Sequence, residues 1–226
     1  TLAANLVSFF DWGFLRAGGY VNVTFDSPGT VLRRASDPSY DDGRVYEAFR
    51  GGWVWETGVP RPVPPVAVSG VWVQASGVGS PRVFWPLGSG YHVDYPLGRV
   101  VFDDALPAGT TVRAEYAFRQ VTVATSDSEW FKQLQFDTLD YAAGEAWTVE
   151  QFKQLGSGAY NVLARNRVPL PALVIEPIYN VRVRPFAIGS TSRVHEQDVA
   201  FHVLAETPRD QRQLHDVVIN QYGHTV

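Results

Sequence analysis

Between Tyr91 and Val123 the chain reads YHVDYPLGRVVFDDALPAGTTVRAEYAFRQVTV. Three β-branched and aromatic runs are separated there by two Gly/Pro turns, Pro96-Leu97-Gly98 and Pro107-Ala108-Gly109. No other stretch narrows the fold as much. Such side chains suit a pleated, half-buried surface, and a Pro closely followed by Gly supplies the dihedrals of a tight turn. The spacing predicts an antiparallel meander with short connections.

Around this segment the pattern changes twice. Leu2, Leu6, Phe9, Phe10 and Phe14 recur at helical intervals, and Gly18-Gly19 ends the run, so Leu2 to Arg16 is expected to be an amphipathic helix. YVNVTFD then alternates as a strand, Ser27-Pro28-Gly29 turns the chain into TVLRR, and RVYEAFR, GGWVWE and VAVSGVWVQ are further strand candidates. PRPVPP between them reads as an extended linker. Tyr20 to Ala124 thus holds about eight short strand candidates, enough for a two-layered sandwich or rolled sheet.

Beyond Ala124 the composition turns helical in DSEWFKQLQFDTLDYAAGEAW, and Thr148-Val149-Glu150-Gln151 has the form of a capping box opening TVEQFKQL. PALVIEPIYNVRVRPFAIG gives two strand runs, and HEQDVAFHVLAE sets Val199, Phe201 and Val203 on one face. Thr207 as N-cap, Pro208 at the first helical position and Asp210 two residues on start a last helix, with Leu214, Val217, Val218 and Tyr222 as its apolar stripe. The expected fold class is α+β: a β-rich, sandwich-like domain at 20–125 joined to, and inserted in, an α+β unit at 126–226. The N-terminal helix at 1–19 is expected to pack with that second unit.

Composition excludes several classes. The chain has no cysteine, so disulfides, thiolate metal sites and cysteine nucleophiles are out of reach. A net charge of −4 is opposite to that of a general nucleic-acid binder. No apolar run is long enough to span a bilayer, and the N-terminal stretch lacks the basic start of a secretory signal. The opening on Thr1 and the abrupt close at Val226 lead us to expect residues beyond both ends. Seventeen of the nineteen basic residues are Arg, which suits bidentate and stacked interface contacts, although a GC-rich genome accounts for the bias equally well.

Catalytic motifs are wanting. There is no Gly-x-Ser-x-Gly elbow, Walker loop, dinucleotide fingerprint or His-Glu-x-x-His, and the Ser/Gly loops GVGS, GSGY and GSGAY read as turns. His195 and His202 lie seven apart in a strand and therefore on opposite faces. His202 and His215 could meet between strand and helix near Asp198 or Asp216, but ligand spacing is missing. Asp37, Asp41 and Asp42 before Gly43 lack EF-hand order and are better explained by Asx-turns, and Asp103-Asp104 as solvated turn residues. Glu47 and Glu56 beside Trp53 and Trp55 could form a sugar cleft with aromatic walls. The Trp pair at strand spacing serves a sheet core or a protein interface equally well, and Arg50, Trp53, Trp55 and Arg61 have the Trp/Arg composition of an interface hot spot. Trp72 and Trp85 complete that candidate interface; no cofactor or metal is expected.

Three segments, RVYEAFRGGWVWE, YHVDYPLGRVVFDDALPAGTTVRAEY and HEQDVAFHVLAETPRDQRQLHDVVINQ, resemble tailed-bacteriophage virion proteins of the neck and tail. The last is similar to the α+β units of head-tail connector, adaptor and tail-terminator proteins, which assemble as rings. The resemblance implies a structural protein rather than an enzyme. It further implies a homo-oligomeric ring meeting virion partners such as portal, adaptor, tail tube or sheath, with an acidic lumen through which DNA passes without specific recognition. A baseplate or fibre-attachment adaptor is the structural alternative. A carbohydrate-binding module using Trp53, Trp55, Trp72 and Trp85 is the alternative from another class.

Overall fold

The computed structural model describes residues 2–25, 27–56, 58–77, 79–128, 131, 170–186 and 191–221. Among the described residues the fold is mostly antiparallel sheet with two α-helices, an α+β arrangement. Its contacts divide into two units: Trp12–Gln120, and Thr1–Asp11 with Val121–Val226. The helix expected from the N-terminal rhythm is α1, Leu2–Ala17. It ends in two hydrogen bonds, Gly18 N–H to Leu15 O (3.0 Å) and Gly19 N–H to Phe14 O (2.7 Å), with Gly18 at φ +92°. That crossed pair satisfies the last carbonyls, and only glycine enters the left-handed conformation at little cost.

The unit 12–120 contains nine short strands: β1 (Tyr20–Val23), β2 (Val31–Ala35), β3 (Val45–Glu47), β4 (Gly70–Gln74), β5 (Arg82–Pro86), β6 (Tyr91–Asp94), β7 (Arg99–Phe102), β8 (Thr111–Ala114) and β9 (Tyr116–Arg119). Seven form one antiparallel sheet in the order β5-β4-β8-β2-β3-β7-β6; β1 and β9 pair separately. The edge strands β5 and β6 follow one another in sequence. A flat sheet would hold its edges about 29 Å apart at ~4.8 Å per strand. The connection 87–90 reaches at most about 18 Å. The sheet therefore curls, and the Tyr91 hydroxyl donates to the Trp85 carbonyl across the closing edges at 3.2 Å.

Inside the curl lie Leu32, Tyr46, Val71, Val100, Phe102 and Val112, with Trp53 stacked flat on Tyr116 (4.2 Å, 17°). Arg99 is buried beside this core and neutralised twice, by Asp37 at 2.6 Å and Asp94 at 3.0 Å. The Ser39 backbone N–H and then the Arg99 guanidinium hold the Asp37 carboxyl below its usual range, so the Asx-turn expected in this loop is present. The proline-rich stretch is tied down rather than free. Tyr20 donates to Val63 O, and the Asn22 amide bonds Pro64 O (3.1 Å) and Val66 N (3.0 Å).

Two expectations fail in this unit. The Tyr91–Val123 segment is not a meander. The Pro96-Leu97-Gly98 turn does join β6 to β7 as a hairpin, but β8 lies beyond β3 and β2 and pairs with β2 and β4 instead. The eight residues 103–110 allow that crossing, which a two-residue turn would forbid. GGWVWE is likewise not a strand. Gly52 stands at φ +65°, so the extended path breaks there. Trp53 N–H then bonds Tyr95 O and Val54 N–H bonds Ala117 O, two different neighbours in succession.

The other unit holds a mixed sheet in which β10 (Thr122–Thr125) runs parallel to β11 (Ala172–Pro185), and β11 runs antiparallel to β12 (Arg193–Leu204). ALVIEPIYNVRVRP is thus one long strand rather than two. Its register shifts between Pro177 and Val181, where the proline offers no N–H to the ladder. The second helix, α2 (Pro208–Asn220), begins as its sequence predicts, with the Thr207 hydroxyl accepting from Asp210 N–H at 3.1 Å. Leu214 is its buried residue, and Phe10 meets Phe201 edge-on at 5.2 Å. The helix expected at TVEQFKQL, the helical stretch before it apart from Asp127, Ser128 and Phe131, and Tyr222 lie outside the described residues.

Candidate functional site

The six candidate interface residues do not form one surface. Trp53 is fully buried, its indole N–H bonded to Arg50 O at 3.1 Å, while Trp55 is 62% exposed. Trp53 and Val54 are both buried and bond different neighbours, so strand alternation does not continue to Trp55; Trp53 belongs to the core, not to an interface or a sugar cleft. Trp72 and Trp85 are also separated. The β4–β5 register pairs Trp72 with Phe84 and Val71 with Trp85, so the two indoles point to opposite faces. Trp85 packs inward on Phe102 at 5.7 Å. Arg50 lies over Phe118, its guanidinium 5.6 Å from the ring. Arg61 lies against Gly18, so close that a Cβ there would meet its guanidinium at 2.9 Å, a cation at the negative end of α1.

Glu56, the carboxylate nominated beside the Trp pair, is braced by an ion pair with Arg119, whose other nitrogen donates to Trp53 O at 2.7 Å. A carboxylate held in this way locks the Trp53 segment in place. The shifted titratable groups among the described residues, Asp37, Tyr46, Tyr91, Tyr95, Arg99 and Tyr116, all belong to the unit 12–120. For the tyrosines the leading cause is burial, which disfavours phenolate.

Two surfaces remain. The first is the outer face of β4 and β5, where Trp72 meets Phe25 edge-on at 4.3 Å and Phe84 at 4.8 Å, and Arg82 sits 5.7 Å over Phe25. Phe84 also covers Gly70, where a Cβ would come within 2.5 Å of its ring. Phe25 and Phe84 were not singled out from the sequence. Their signal is the facing alternation of GVWVQ and RVFWP, which places Phe84 opposite Trp72.

The second surface is the distal part of the β11–β12 hairpin. Ala172 to Ile175 are buried, but every residue from Ile178 to Pro185 is exposed, as are Arg193, Val194 and His195 opposite them. Side chains along a strand alternate between its faces, so this ribbon is bare on both. Tyr179 is 96% exposed and Phe186 72%, with Val181 and Val183 about half exposed. From Ile178 to His195 the sequence has three arginines and no carboxylate; Arg184 forms an ion pair with Glu196 just below.

The histidines stay apart. His195 pairs in register with Val183, whereas His202 pairs with Val174 and bonds Glu176 at 2.7 Å. His215 lines a shallow cleft of about 220 Å³ with Val203, Gln211, Arg212 and Asp216, and His202 is not part of it. Among the described residues no group of three or more His, Asp or Glu is placed to hold a metal, and no helix is long and apolar enough to cross a membrane. Comparison with family models, with curated proteins and with solved structures returns no match.

Proposed function

We propose that this chain is a structural component of a tailed-phage particle, forming an oligomeric ring at the head-tail neck as a connector, adaptor or tail terminator. The observation that carries the reading is the bare distal hairpin, which leaves Tyr179, Phe186, Val181 and Val183 uncovered. Isolated two-stranded ribbons are marginal in water, and apolar patches of this kind serve assembly. The segment resemblance to neck and tail proteins supports the same reading. In it the β-rich part is a sandwich-like insertion in the α+β unit, and the net charge of −4 keeps DNA from adhering to the channel wall.

Negative-stain microscopy of the purified chain, with immunogold labelling of particles, tests this. Closed rings and label at the neck are expected. A chain absent from particles would remove the reading, and label at the distal tail end would move it to a baseplate or fibre-attachment adaptor. The Phe25–Trp72–Phe84 face favours one reading of another class, a carbohydrate-binding module, because aromatic faces stack on sugar rings. Glycan-array binding lost in Trp72→Ala would support it.

A further inference from the structure

We propose that the distal β11–β12 hairpin is an arm that docks on a second copy of this chain; the proposal rests on the ring reading and names the element that closes the contact. Charge is the first argument. The whole chain carries −4. With three arginines and no acid between Ile178 and His195, that stretch carries +3, and the remainder of the chain carries −7. A basic arm on an otherwise acidic molecule finds its complement on another copy of the same molecule, and like-signed bodies would then associate only through the arm.

The arm's two faces supply the second argument. Val181 and Val183 share one face, and Arg182 and Arg184 the other. A ribbon built to hold phosphates would gain nothing from a valine face, whereas a protein surface buries the valines and Tyr179 while Arg182, beside the Arg184–Glu196 pair, meets carboxylates at the rim. An arm given by one copy and a different surface offered by the next is a heterologous contact. Such contacts repeat head to tail and close into a ring when the rotation allows.

The test compares the full-length wild type with two variants, Tyr179→Ser with Phe186→Ser, and Arg182→Glu with Arg193→Glu, by sedimentation velocity over a concentration series at low and high salt. The wild type is expected to associate. The aromatic variant should associate about thirtyfold or more weakly, the loss expected of an interface hot spot. The arginine variant should weaken too and lose the salt sensitivity of the wild type. At concentrations where the wild type is monomeric, melting curves should match it, because all four side chains are exposed. Added as labelled tracer, either variant should still cap wild-type assemblies, since its receiving surface is intact.

Variants that assemble like the wild type would overturn the arm while leaving the ring reading to another surface. A wild type that stays monomeric at every concentration would overturn it as well, and so would an arm that engages only a DNA duplex in a parallel binding assay. Absence of the chain from particles bears on the ring reading alone. The two failures are therefore distinguishable.

Discussion

Trp53→Ala separates a core tryptophan from an interface one. The indole is fully buried, stacked at 4.2 Å on Tyr116, and its N–H satisfies Arg50 O. Removing a buried tryptophan typically costs about 3–5 kcal/mol through lost burial and the cavity left behind. The orphaned carbonyl adds about 1 kcal/mol. A loss of roughly 4–6 kcal/mol is a large part of the ~5–15 kcal/mol that holds a domain together. At about 4 °C per kcal/mol for a unit of this size, the 12–120 transition should fall by roughly 15–25 °C. Trp55→Ala, at a position 62% exposed, should stay within about 0.5 kcal/mol. Scanning calorimetry on both variants reads this directly. The core assignment is refuted if Trp53→Ala melts with the wild type while its association changes, or if Trp55→Ala falls as far.

Further outcomes follow from the same geometry. Gly98 has φ +65°, and a Cβ there would lie 2.4 Å from Arg50 O, whereas Gly88 has φ +83° with no atom near its Cβ position. Gly88→Ala should lose about 1 kcal/mol from the backbone conformation alone, and Gly98→Ala about 1–3 kcal/mol more from overpacking; equal denaturation midpoints would contradict the close approach. Burial, and then Tyr95, push the Tyr91 hydroxyl from 10.0 up to about 12. The folded chain therefore keeps a proton that the unfolded chain releases. That contribution is intact below pH 10 and is lost as pH rises to 12, on the order of 2–3 kcal/mol. Tyr91→Phe should flatten the alkaline limb of a stability-versus-pH curve, and an unchanged slope would count against it. Thr207→Ala should cost about 1 kcal/mol by freeing Asp210 N–H, read as faster amide exchange in the first turn of α2.

What was legible in the sequence was local. The Gly18-Gly19 stop and the Thr207-Pro208-x-Asp210 start each act over a few residues, and each stands where its chemistry places it. The Pro96-Leu97-Gly98 hairpin is of the same kind. Strand order is different in nature. Whether β8 lies beside β7 or beside β2 depends on where a segment some eighty residues earlier has gone, and no turn signal carries that information. The curl that brings Trp85 to Tyr91 follows from strand order and was out of reach for the same reason.

Trp53 reads as an interface residue for a subtler reason. Cores and interfaces both bury aromatic side chains and use the same residues to do it, so a Trp/Arg-rich segment states that something will be covered but not by what. Trp53 finds its cover within its own unit, on Tyr116. Tyr179, in a segment with no tryptophan, stands 96% exposed. The Val-Arg-Val-Arg alternation from Val181 to Arg184 has the period of a half-buried strand, yet both of its faces are open to solvent. Periodicity prepares a strand for a partner on one side. When the fold supplies none, the face written for burial becomes the place to look for the next molecule, and that argument points to β11 rather than to the tryptophans.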